Sequence, residues 1–209
     1  MTLNLKKIQR FISFYMPVVA VFVAAFVLSG CDDDDPVKED VPELITTATL
    51  AFTPQSGGNV VTVTATDPDG EGIKGIEVDG PINLEANKTY SMSISLINGL
   101  AQPSDPAYNI TEEVEEEGDE HMFYFSWTNN VFSDPEGNGN IDNRSDEVGY
   151  QDQDSNALPL GLETSWTTAA AATGEFRVLL KHQPDLKSAT SGSSEGETDL
   201  DITFTIVIQ

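Results

Sequence analysis

Asp199-Leu200-Asp201-Ile202-Thr203-Phe204-Thr205-Ile206-Val207-Ile208 decides the fold class. Leu200, Ile202, Phe204, Ile206 and Ile208 fall on one side of an extended chain, and Asp201, Thr203 and Thr205 on the other, which is the period of a strand with one buried face. Upstream, Lys88 to Ile97 repeats the pattern, with Tyr90, Met92, Ile94 and Leu96 alternating against Thr89, Ser91, Ser93 and Ser95. His121 to Trp127 places His121, Phe123, Phe125 and Trp127 on one face. Leu44 to Thr53, Asn59 to Asp67, Leu162 to Thr168 and Glu175 to His182 read the same way, and Ile73 to Asp79 reads as a short edge strand. Pro54-Gln55-Ser56-Gly57-Gly58 separates two of these runs as a hairpin loop. Only Glu112 to Glu120 breaks the pattern: Thr111 can cap a short helix there, glutamates suit its N-terminal dipole, and Gly118 would end it. About eight short strands without a long helical period predict an all-β fold, an antiparallel two-sheet sandwich of immunoglobulin-like or jelly-roll-like layout. Trp127 and Trp166 belong in its core.

The first thirty residues are of another kind. Lys6, Lys7 and Arg10 precede an apolar run from Phe11 to Leu28, broken only by Ser13 and Pro17 and at the lower edge of a membrane span in length. Leu28-Ser29-Gly30-Cys31 follows, and small residues before the sole cysteine point to a cleaved leader. This tetrapeptide resembles the lipobox of bacterial lipoproteins, which implies removal of residues 1–30 and acylation of Cys31. Each buried methylene of an acyl chain contributes about 0.8 kcal/mol, so several chains give lasting attachment to a lipid bilayer. Residues 31–43, with Asp32 to Asp35, Pro36 and Pro42, read as a charged tether, and 44–209 as the domain. Acidic residues directly after the cysteine resemble the signal that sends Bacteroidota lipoproteins to the outer face of the outer membrane. With its only cysteine acylated, the domain has no intrachain disulfide.

The chain carries 35 acidic and 10 basic residues. Three of the basic residues and none of the acids lie in the leader, so the remainder sets seven basic against 35 acidic, a formal charge of −28. Phosphate binding needs Lys and Arg, so nucleic acid is excluded as a partner. The same charge favours solubility and attracts cations.

Three loops space oxygen donors as calcium sites do. Asp67, Asp69 and Glu71 alternate before Gly72; Asp134, Glu136, Asn138, Asn140 and Asp142 alternate in the second loop; Asp152, Asp154 and Asn156 lead to Glu163 at the twelfth position. Hard Ca²⁺ takes six to eight oxygens, and alternate residues of a tight loop can all face inward. The competing reading is that Asp, Asn, Gly and Pro are simply the residues of turns. A second candidate uses the only two histidines. His121 starts one strand and His182 ends another, each in line with an apolar face, so antiparallel pairing would bring them to one sheet edge. With Glu117 or Glu120 beside them they would suit Zn²⁺ or another borderline cation; the alternative is a pair of half-buried packing residues.

No nucleophile elbow, phosphate loop, dinucleotide fingerprint or HExxH motif occurs. The expectation is a non-enzymatic surface module binding divalent cations or a nutrient. A structural or adhesive sandwich is the alternative, and a metal-dependent hydrolase on His121 and His182 a second one. Ile45-Thr46-Thr47, Asp67-Pro68-Asp69-Gly70, Ile110-Thr111-Glu112-Glu113-Val114-Glu115-Glu116-Glu117, His121-Met122-Phe123-Tyr124-Phe125, Gly161-Leu162-Glu163-Thr164, Leu180-Lys181-His182-Gln183-Pro184 and Glu197-Thr198-Asp199 resemble a group of Bacteroidota lipoproteins. Its members are sometimes labelled type 1 periplasmic binding fold proteins and often lie near genes for TonB-dependent receptors. The resemblance implies nutrient or metal capture for such a receptor. A type 1 binding fold needs two α/β lobes with long crossover helices, for which this chain has neither length nor period.

Overall fold

The period-two runs fold as strands in a computed structural model that describes residues 43–70, 72–141 and 148–209. The expected leader and tether with Cys31, and the candidate ligands Glu71 and Asp142, lie outside the described residues. Along the chain run β1 (Thr47–Pro54), β2 (Val61–Thr66), β3 (Glu77–Val78), β4 (Ile82–Leu84), β5 (Thr89–Ile97), α1 (Ile110–Glu116) and β6 (His121–Trp127). There follow β7 (Phe132–Asp134), β8 (Glu136–Gly137), β9 (Gly149–Tyr150), β10 (Glu163–Thr168), β11 (Ala172–His182) and β12 (Glu197–Ile208).

One sheet has the order β3-β2-β1-β5-β10-β7-β8, with β9 also on β10; the other has the order β4-β12-β11-β6. Every pairing is antiparallel except β4 with β12. Eight strands are legible in the sequence, β3 shrinking to two residues of the expected Ile73 to Asp79 run; β4, β7, β8 and β9, of two or three residues each, are not.

Aromatic side chains close the space between the sheets. Trp166 on β10 lies 5.2 Å from Trp127 on β6 and 5.1 Å from Phe176 on β11, and Phe52 on β1 lies 6.3 Å from Phe176. The Trp166 contacts are edge-on, the arrangement ring quadrupoles favour, and each such pair adds about 0.5–1.5 kcal/mol beyond its buried area. Both tryptophans are buried.

Three local departures from the alternation shape the site. The helix spans Ile110–Glu116, two residues earlier than the acidic run suggests, because Ile110 and Val114 sit four apart and bury together. Thr111 is inside it and caps nothing: its hydroxyl donates to the Leu96 carbonyl at 3.1 Å and accepts from the Leu96 amide at 2.7 Å, tying α1 to β5. β6 is buried on both faces. The segment after β11 folds back over its outer side, where the Tyr124 hydroxyl donates to the Ser191 carbonyl at 3.1 Å and the Gln183 amide to the carbonyls of Gly192 and Glu195. Finally, β11 and β12 slip register: Leu180 faces Leu200, but Lys181 faces Thr198, leaving Asp199 as the extra residue of a bulge.

Candidate metal centre

β6 begins at His121 and β11 ends at His182, and the antiparallel register sets the two residues directly opposite one another. Directly opposed residues point to the same face. Their rings accordingly stack, with centroids 4.7 Å apart and planes 7° from parallel, and both are buried. The histidines meet as their positions at strand ends suggest.

The Nδ1 of His121 lies 3.1 Å from the backbone carbonyl of Glu117. A carbonyl only accepts, so Nδ1 donates to it; Nε2 is the ring atom turned to the cluster, and without a cation it donates to the Glu43 carboxylate. That Nε2 sits 2.9 Å from Glu43 Oε1 and 3.8 Å from Asp199 Oδ2. The Nε2 of His182 sits 3.4 Å from Glu120 Oε2. Two sets of ligand atoms result, each within 4.8 Å: Glu43 with His121 and His182, and Glu117 with Glu120 and His182. Glu117 and Glu120, singled out in the sequence, thus reach His182.

Glu43 and Asp199 have no signal in the sequence. Glu43 precedes the first strand and reads as the end of the tether, yet its side chain is only 5 % exposed. Asp199 shares parity with the exposed Asp201; the bulge turns it inward, where its side chain is fully buried. Burial, then the neighbouring charge of Glu43, pushes the Asp199 carboxyl up to about 9. Burial also acts upward on Glu43, but the hydrogen bond and charge of His121 outweigh it and hold this carboxyl below the usual range. Asp199 therefore keeps its proton at neutral pH beside an ionised Glu43.

The two carboxyls hydrogen-bond to one another, Asp199 as the protonated donor, and the Glu43 amide also reaches Asp199. Carboxylate oxygens beside an imidazole nitrogen are ligands a divalent cation takes.

The three oxygen-rich loops are built differently. In the first, Asp67 accepts the Asp69 amide at 3.3 Å, and Asp69 Oδ1 is buried without a hydrogen-bond partner. In the second, Asp134 and Glu136 are exposed on the β7–β8 hairpin, Asn138 accepts the Asn130 amide at 2.8 Å, and Asn140 is exposed. In the third, Asp152 accepts the amides of Gly161 and Glu163 at 2.8 and 3.0 Å, while Glu163 is exposed on β10. Asp154 accepts the amides of Asn156 and Leu158 and pairs with Lys187 at 2.8 Å; Asn156 is exposed. Among the described residues, no set of three histidine or carboxylate ligands within 4.8 Å forms in any of these loops.

No protein-family model, no curated protein and no solved structure matches the chain.

Proposed function

We propose that the chain is a lipid-anchored, non-enzymatic surface module whose domain holds one borderline divalent cation, Zn²⁺ by its donor set, between His121, His182 and Glu43. The observation that carries this reading is the stacked, buried histidine pair with Glu43 at hydrogen-bond distance and the buried Asp199 carboxyl beside it. Imidazole nitrogen with carboxylate oxygen suits zinc, whereas Ca²⁺ wants six to eight oxygens. The His121 Nδ1 bond to the Glu117 carbonyl is the outer partner that orients a ligating imidazole and fixes its tautomer. Asp199 stands ready as a fourth ligand once its proton leaves.

The lipobox-like Leu28-Ser29-Gly30-Cys31 and the aspartates after it support an anchor at the outer membrane, facing out. Zn²⁺ gathered there would serve an uptake system such as a TonB-dependent receptor. A second reading rests on the same cluster: a protonated Asp199 beside an ionised Glu43 balances the site without metal, as a structural or adhesive sandwich requires.

Calorimetry on the intact chain separates the two. Zn²⁺ is expected to bind with a stoichiometry near one and to be lost when His121 and His182 are both alanine, while Ca²⁺ gives no saturable heat. At a hundredfold excess over Kd the ion adds about 2.7 kcal/mol to stability. Zn²⁺ binding that survives loss of both histidines refutes the site.

A further inference from the structure

We infer that cations enter this centre in two steps, first held by an outer triad of Glu117, Glu120 and His182 and then passed to the inner triad of Glu43, His121 and His182. The inference rests on the metal centre proposed above and adds the route by which it fills.

Exposure falls steadily along that route. The Glu120 side chain is 25 % exposed, those of His182 and Glu43 are 4 % and 5 %, and those of His121 and Asp199 are fully buried. A hydrated divalent cation cannot shed all its water at a fully buried position in one event; it exchanges water for protein donors one at a time. The partly exposed outer triad supplies the first donors. His182 belongs to both triads, so one imidazole can stay bound while the carboxylates are exchanged. The carboxyls of Glu43 and Asp199, buried side by side at His121, give the inner position its greater pull.

The approach is marked by a groove of about 890 Å³ between β5, the 3-10 turn Pro106–Tyr108 and α1. Asp105, Glu112, Glu113, Glu116 and Glu117 line it, with no lysine or arginine among the described lining residues. Glu117 therefore stands both on the groove wall and in the outer triad. A cleft lined by one sign of charge concentrates counter-ions and raises their on-rates by roughly 10–10³-fold.

The test mixes the intact chain with Zn²⁺ and a zinc-sensitive competing dye in a stopped-flow instrument, with Kd measured separately by calorimetry. In the Glu117→Gln, Glu120→Gln double variant, kon and koff are both expected to fall about tenfold, with Kd weakened by no more than about threefold and the ionic-strength dependence of kon flattened. Glu43→Gln instead weakens Kd by about 100-fold, mostly through koff. If the double variant weakens Kd as far as Glu43→Gln does at an unchanged kon, the carboxylates form a single shell and the two-step route is wrong. Unchanged kon and koff overturn it equally. A wild-type chain that takes up no Zn²⁺ fails earlier, at the metal centre itself, and takes the route with it.

Discussion

Replacing Asp199 with asparagine is expected to stabilise the metal-free protein and to weaken its hold on Zn²⁺. The folded chain keeps the Asp199 proton up to about pH 9, whereas the unfolded chain releases it near 3.8. Between these values the folded state binds one proton more than the unfolded state, so stability falls as pH rises, by about 1.4 kcal/mol per pH unit. From the unfolded value to pH 7 this amounts to about 4 kcal/mol; adjustment of Glu43 and entry of water reduce it to roughly 2–4 kcal/mol. Asparagine has the same shape, does not titrate, and offers an N–H to Glu43 where the acid offers its proton. In urea unfolding with EDTA, the variant should match the wild type near pH 4, exceed it by roughly 2–4 kcal/mol at pH 7, and gain no further above pH 9. Saturating Zn²⁺ should reverse the order, because the carboxylate ligates and the amide does so poorly. A variant less stable than the wild type at pH 7 in EDTA, or a difference that does not change with pH, would refute the reasoning.

Lys187→Met tests the ion pair beneath α1. Both side chains are fully buried, Lys187 Nζ lies 2.8 Å from Asp154 and donates to the Gly118 carbonyl at 2.6 Å, so removing the ammonium should cost about 3 kcal/mol in thermal unfolding; a loss below about 1 kcal/mol would contradict the pairing. Burial raises the Asp154 carboxyl, but the Lys187 hydrogen bond and the Leu158 and Asn156 amides outweigh it and hold it below the usual range. Its contribution is therefore present above the ordinary aspartate range and lost as pH falls through the lowered value, an acid sensitivity that the methionine variant should show only in the reduced form its remaining amide bonds support. Gly196→Ala should disturb the centre from behind: φ there is +75°, and a β-carbon would run into the His182 carbonyl oxygen. A loss of about 2 kcal/mol with weaker Zn²⁺ binding is expected, read by melting and calorimetry; wild-type values for both would show that Gly196 does not hold His182 in place.

Much of this molecule is written in short-range pattern. Alternation in Lys88 to Ile97, His121 to Trp127 and Asp199 to Ile208 identifies β5, β6 and β12 almost to the residue, because the face a strand buries is fixed by a period of two. The same logic places His121 and His182 at strand ends where antiparallel pairing makes them meet. Alternation also misleads: it gives β6 one buried face where the structure buries both, and it sends Asp199 outward with Asp201 until the slip between Leu180 and Lys181 brings it in. The spacing of oxygens in the three loops is a weaker guide. Backbone amides take Asp152 and Asp154, and a hairpin exposes Asp134 and Glu136, because turn-forming residues and cation ligands are the same residue types.

The sequence by itself determined the long strands, the acidic surface and the lipobox-like approach to Cys31, since each is carried by residues adjacent along the chain. Only the tertiary structure decided that Glu43, His121, His182 and Asp199 share one buried cluster. They come from the entry to the first strand, the start of β6, the end of β11 and a bulge in β12, and no local period links positions so far apart. Pairing of β6, β11 and β12 within one sheet brings three of them together, the lead into β1 adds Glu43, and burial then leaves one carboxyl protonated beside an ionised one.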